Sequence, residues 1–356
     1  MSTVGLTKEA TELLSNLIRI PRTSRNETEA AQFLKDYMEQ NCKLPVQCDG
    51  CNLWSIAPNY NPNLPTLLLN AHIDTVKQVS DWKHDPFTPQ IEDGKLYGLG
   101  SNDDGASLVS LLQVFRVLRE QERPYNLIYL ASAEEEVSGK NGIEHALPLL
   151  PHIDVAIVGE PTGMQPAIAE KGLMVLDVTA HGKAGHAARN EGDNAIYRAI
   201  KDINWFQNYK WEKESELLGP VKMSVTIINA GTQHNVIPDK CTFTVDVRSN
   251  ELYSNEELYN QICRHVESDV QARSFRLNSS HIDLSHPLVQ KIITLGGKPF
   301  GSPTLSDQAL MPFPSLKMGP GQSSRSHTAD EYIEIKEIEE AIDIYLKVLR
   351  HAVITL

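Results

Sequence analysis

The stretch Leu67-Leu68-Leu69-Asn70-Ala71-His72-Ile73-Asp74-Thr75 constrains this chain more than any other. Three leucines after Pro65-Thr66 read as a short strand buried on both faces. Side chains able to do chemistry begin where the apolar run stops. Open α/β sheets bind their ligands beyond the carboxyl ends of the strands. His72 and Asp74 are two positions apart, so extended backbone turns both to the same side. One ring nitrogen of His72 then faces a metal while a carboxylate holds the other N–H and fixes the tautomer. The alternative is a strand-end histidine hydrogen-bonded to its neighbour, with no further role.

Two later apolar runs end in the same way. Residues 125–130 lead into Ala131-Ser132-Ala133-Glu134-Glu135-Glu136, and residues 154–159 lead into Glu160-Pro161-Thr162. Adjacent glutamates repel unless cations or protons neutralise them, so one suits a ligand and another a general base. An exposed acidic loop is the plainer alternative. Between these runs stands Gly98-Leu99-Gly100-Ser101-Asn102-Asp103-Asp104-Gly105. No third glycine completes a dinucleotide fingerprint, and no strand signal stands immediately before it. A helix pattern follows, with Leu108, Leu111, Leu112, Phe115 and Leu118 on one face. Asp103 and Asp104 therefore sit where a helix begins, as N-cap or as metal ligand.

Helices alternate with apolar strands up to this point. That order predicts an α/β fold whose mixed, largely parallel sheet is flanked by helices. The character changes near residue 173. Residues 173–180 read as a strand, 181–189 as a glycine-containing loop, and 194–208 as a helix. Strands over 221–229 and 241–248 are joined by a turn holding Asn235-Val236-Ile237-Pro238-Asp239, and a helix over 256–268 follows. An α+β module over 173–277 is thus inserted into a domain made of 1–172 and 278–356. The last part of that domain carries Ser326-His327-Thr328-Ala329-Asp330-Glu331-Tyr332 and a helix burying Ile338, Ile342, Tyr345 and Leu349.

Charge and cysteine content exclude several classes. The net charge is −13 with no Lys/Arg-rich run, which argues against a nucleic-acid binder. The five cysteines are too few and too irregular for a disulfide framework, and Cys48-x-x-Cys51 lacks a second pair for a structural zinc. No apolar run reaches membrane-spanning length, and the first residues lack the apolar core of a signal peptide. A cytoplasmic protein without a membrane segment is expected.

His72, Asp103, Glu136, Glu160 and His327 form one candidate set. Two imidazoles and three carboxylates suit a pair of divalent ions with one carboxylate bridging. Zinc or cobalt fits this mixture of nitrogen and oxygen donors better than magnesium or calcium. Two ions about 3.5–4 Å apart activate water and stabilise the oxyanion it creates. Glu135, adjoining a ligand, occupies the general-base position.

With these residues in place, the segments HIDT, GLGSNDDG, ASAEEEVSG, VGEPT, NVIPD and SHTADEYI, in this order, resemble the di-zinc amidohydrolases. That family includes acetylornithine deacetylase, succinyl-diaminopimelate desuccinylase, aminoacylase and glutamate carboxypeptidase. The resemblance covers essentially the whole chain and looks closest to the acetylornithine branch. It implies that His72 and Glu160 bind one zinc, Glu136 and His327 the other, and that Asp103 bridges them through a cis peptide to Asp104. It makes Asp74 the orienting group of His72 and Glu135 the base. The inserted module becomes a lid and homodimerisation domain, and His186 reaches the partner subunit's site to stabilise the oxyanion. The implied substrate is a small N-acyl amino acid, N-acetyl- or N-succinyl-ornithine first. Succinyl-diaminopimelate or a dipeptide stands behind it, and a non-catalytic binding protein is the reading from a different class. Arg248 would hold the substrate α-carboxylate, Asn235 would contact the ligand or hold the lid loop, and Arg325 would read a second anionic group. Two departures stand out. Asp103-Asp104-Gly105-Ala106 lacks the family's lysine, and Glu134-Glu135-Glu136 replaces Asp-Glu-Glu. A slip of one residue would make Glu134 the base and Glu135 the ligand.

Overall fold

The leucine run forms the strand Thr66–His72, and every residue in it is buried. Both neighbours, Asn126–Ser132 and Val155–Val158, pair with it in parallel. Parallel strands of this kind are covered on both faces. Alternation along the strand divides its leucines. Leu67 and Leu69 join a core with Leu13, Leu17, Leu111, Phe115, Ile342 and Tyr345. Leu68 joins a second core with Trp54, Ile128, Leu130, Ile143 and Met311. Each such leucine contributes about 1.5–3 kcal/mol of burial.

This is a computed structural model, and it describes residues 2–189 and 191–355. The chain divides into two units. The first is Met1–Ile168 with His281–Phe300 and Ser306–Leu356; the second is Ala169–Ser280 with Gly301–Leu305. In the first unit, Ser315–Lys317 extends the sheet in parallel beside Val155–Val158. On the other side Asn52–Ile56 and then Gln47–Asp49 pair antiparallel. The sheet is therefore mixed, with parallel pairings at its centre and antiparallel ones flanking them, including Lys317 opposite Ala167. Helices Thr3–Ile18, Ala106–Leu118 and Ile335–Leu349 pack together on one face.

Three sequence expectations need correction here. A strand, Lys95–Tyr97, does precede the Gly98-Leu99-Gly100 turn, forming a small sheet with Gln90–Glu92 and Tyr332–Glu334. Three residues are too few to give a periodic signal. Asp103 and Asp104 do not cap the following helix. They lie in the tight turn Ser101–Gly105, and the N-cap of Ala106–Leu118 is Gly105, without a side-chain cap. The helix read over 256–268 is shorter, Asn255–His265, opened by a capping box of Ser254 and Glu257.

The second unit is a four-stranded antiparallel sheet in the order Lys222–Ala230, Lys240–Arg248, Met174–His181, Asp269–Ala272. Met174–His181 alternates strictly between buried and less buried positions. Helices Ala195–Asn208 and Asn255–His265 bury Ala195, Ala199, Phe206, Leu258 and Ile262 in this unit's core with Val178, Phe243 and Val245. Among the described residues, no helix is long and apolar enough to cross a membrane.

Candidate metal centre

His72 ends its strand with the imidazole buried. Its Nδ1 lies 2.9 Å from the backbone carbonyl of Asp74 and 3.5 Å from the Asp74 carboxylate. Asp74 thus faces this nitrogen with both its carbonyl and its carboxylate, which leaves Nε2 facing the site. The Asp74 carboxylate has other partners. It accepts from Ser24 Oγ at 2.7 Å and from the backbone N–H groups of Glu135 and Glu136 at 3.0 and 3.2 Å.

Asp103 stands between the two histidines. Its Oδ1 is 3.3 Å from His72 Nε2, and its Oδ2 is 3.6 Å from His327 Nε2. The peptide to Asp104 is cis. His327 Nε2 also lies 3.1 Å from Glu136. The Glu135 carboxylate is 3.8 Å from His72 Nε2. Ligand-type atoms of His72, Glu135 and Glu160 lie within 4.8 Å of one another, as do those of His72, Asp103 and Glu136. Glu134 turns elsewhere. It adopts a left-handed backbone, and its carboxylate accepts from Asn141 at 2.9 Å. Gly139 lets it sit there, because a Cβ at that position would come within 1.9 Å of the Glu134 carboxylate.

The electrostatics follow from this crowding. Burial pushes Glu135 well above the usual carboxylate range; Glu160, Asp307 and Glu136 add to the rise, and His72 opposes it. Burial disfavours the His72 imidazolium, but hydrogen bonds to Asp103 and Asp74 outweigh it and raise its pKa well above the usual value. The hydrogen bond to Glu136 raises His327 to about 9. Two histidine nitrogens and several carboxylates around one bridging-type aspartate form a donor set that fits two divalent ions.

Sequence reasoning assigns no role to several groups that hold this arrangement. Glu331 accepts from the N–H groups of Gly100, Asn102 and Asp103 at 3.0, 2.9 and 2.9 Å. Glu27 accepts from Glu134 N–H at 3.0 Å. Asp307 accepts from Ser132 Oγ at 2.6 Å, and the Asn70 amide, turned with its nitrogen towards it, donates at 3.2 Å. Burial raises Asp307 to about 7, against the Ser132 hydrogen bond. Glu331 is the one with a sequence signal, four residues after His327.

Arg325 is engaged with Glu337 at 2.6 Å and stacks 4.4 Å above the Tyr332 ring. Its charge is matched by Glu337 within the same unit. His186, Asn235 and Arg248 belong to the second unit. His186 lies exposed on Gly185–His186, which pairs with Val236–Ile237, and Ala187 N–H donates to the Asn235 carbonyl at 2.9 Å. Arg248 makes a two-point pair with Asp246 at 2.8 and 3.1 Å.

Comparison with known proteins adds to this geometry. A Staphylococcus aureus protein named “Probable succinyl-diaminopimelate desuccinylase” is 27% identical, over 95% of this chain and 96% of its own. The acetylornithine deacetylase of Pectobacterium carotovorum is 29% identical, over 80% of each chain. A dinuclear metal binding peptidase of the M20 family from Bacillus subtilis shares the fold, with a TM-score of 0.71 at 16% identity, covering 97% of this chain and 98% of its own. The model of Peptidase family M20/M25/M40 matches residues 68–351, a span that holds every candidate metal ligand. The chain therefore belongs to the M20 family of metallo-amidohydrolases and peptidases.

Proposed function

We propose that this enzyme removes the acyl group from an N-acyl amino acid, with N-acetyl- or N-succinyl-ornithine as first choice. The observation that carries the reading is Asp103, whose two oxygens each face a different histidine. The choice of substrate class is supported by relatives named for desuccinylation and deacetylation. Zinc is the proposed metal, with cobalt as a substitute. His72 and Glu160 would hold one ion and His327 and Glu136 the other, with Asp103 shared between them. When bound, the ions acidify water and polarise the scissile carbonyl.

Glu135 takes the proton of the attacking water and passes it to the amine nitrogen as the C–N bond breaks. Asp74 keeps the Glu135–Glu136 backbone fixed, so the base does not wander between turnovers. His186 donates to the oxyanion of the partner subunit's substrate. Arg248 exchanges Asp246 for the substrate α-carboxylate, a planar group that its fork fits. Asn235 holds the loop that carries His186. Arg325 reads a second anionic group, as on a succinyl chain, in exchange for Glu337.

The homodimer forms through the inserted module of 173–277, which lies within the second unit and is the lid of the domain of 1–172 and 278–356. Support for this lies in the edge strand Lys222–Ala230, which exposes Ile227 and Ile228, and in the helix beside it, which exposes Tyr197 and Ile200. The cytoplasm is the proposed compartment.

The test is amine release from a panel of N-acetyl- and N-succinyl-amino acids and dipeptides, with zinc or cobalt and with chelator. Chelator-sensitive turnover of one acyl-amino acid is expected. Turnover of dipeptides alone would move the enzyme to the peptidase side of its family.

A further inference from the structure

Arg22 is 2% exposed, yet it spends its guanidinium on backbone carbonyls from three separate segments. Nε donates to Ile73 at 2.7 Å, Nη1 to Leu17 at 3.0 Å and Nη2 to Gly100 at 3.0 Å. Ile73 stands between His72 and Asp74, and Gly100 opens the turn that carries Asp103. Gly100 is held through its N–H as well, by Glu331, which also takes the N–H of Asp103. Gly100 has a left-handed φ of 71°, and a Cβ there would lie 2.6 Å from Arg22 Nη2. The glycine is what lets the guanidinium come this close. Burial lowers Arg22 to about 10, with Glu331, Asp74 and Asp104 opposing, so it remains charged at neutral pH.

We propose that Arg22 is a positioning residue that fixes the spacing between His72 and Asp103 and thereby sets the affinity of the site for its metal ions. A planar fork with rigidly placed donors suits such a task, whereas an ammonium on a flexible stem cannot span three carbonyls. The inference rests on reading His72 and Asp103 as ligands. Groups that orient metal ligands from behind typically change metal affinity about 10–100-fold when removed.

The experiment compares wild type with Arg22→Lys and Arg22→Gln. Chelator-stripped proteins are titrated with Zn²⁺ and with Co²⁺, reading both dissociation constants and the visible Co²⁺ spectrum. Circular dichroism and the melting temperature of the stripped proteins are followed in parallel. We expect roughly 10–100-fold weaker binding and an altered Co²⁺ spectrum in variants that keep the wild-type far-UV spectrum. Arg22→Lys keeps the buried charge, so it remains folded where Arg22→Gln fails. A folded variant that binds both ions as wild type does, whatever its melting temperature, overturns the role of Arg22 alone. Wild-type protein that binds no ion would overturn the reading of the ligands instead.

Discussion

The backbone N–H of Glu135 donates to Asp74 Oδ1 at 3.0 Å, so the proposed base is anchored by the residue two places beyond the first histidine. The same carboxylate takes Glu136 N–H. One buried acidic group therefore sets the place of the proposed base and of the proposed ligand together. Replacing Asp74 by Ala should weaken metal binding about 10–100-fold and lower turnover beyond what added metal restores. Metal titration of the stripped protein, followed by assay at saturating metal, separates the two effects. Full recovery at saturating metal would remove Asp74 from the placement of the base.

Glu135→Gln preserves shape and removes the proton acceptor. Metal content should stay at wild-type stoichiometry while kcat falls by roughly 10²–10⁴-fold. Metal analysis and steady-state kinetics on one preparation check both halves. Loss of metal with the activity would make Glu135 a ligand, a role its 3.8 Å distance from His72 keeps open to test.

His186→Ala should lower turnover without changing metal stoichiometry. Mixing it with Glu135→Gln under conditions of subunit exchange should restore activity to about a quarter of wild type, since half the dimers are mixed and each has one intact site. Size-exclusion chromatography establishes the dimer, and the assay reads the recovery. No recovery after proven exchange would confine His186 to its own subunit or to no catalytic role.

Asp307 supplies a pH signature. Its folded pKa is raised from 3.8 to about 7, chiefly by burial. A raised value means that its contribution to stability is complete below about pH 4 and is lost as pH rises through 7. Melting curves of metal-free wild type and Asp307→Asn should therefore diverge in favour of the variant between pH 4 and 7. A constant difference across that window would show that Asp307 does not titrate there.

The sheet and most candidate ligands were legible in the sequence because their signals are local. Apolar runs such as Leu67-Leu68-Leu69 mark buried strands, and reactive side chains at their ends mark where a site is built. The supporting groups gave no such signal. Arg22, Glu27 and Asp307 each act on backbone or side chains far along the chain. Nothing in Ile20-Pro21-Arg22-Thr23 tells a buried clamp from a surface charge. The N-cap alternative for Asp103 failed for a related reason, since the turn at Ser101–Gly105 is shaped by Glu331 from near the other end of the chain. Arg325 looked available because Glu337, which matches its charge, lies on the next helix.

The central strand Thr66–His72 pairs on both sides with strands that are made later, and His327 is made later still. A growing chain thus displays His72 long before its counterpart has left the ribosome. Interrupted chains that stop short of His327 hold four of the five candidate ligands and lack the second imidazole. On the proposed ligand set, the second ion gains its imidazole only when the chain is nearly finished, and any stability that metal binding adds comes late in synthesis.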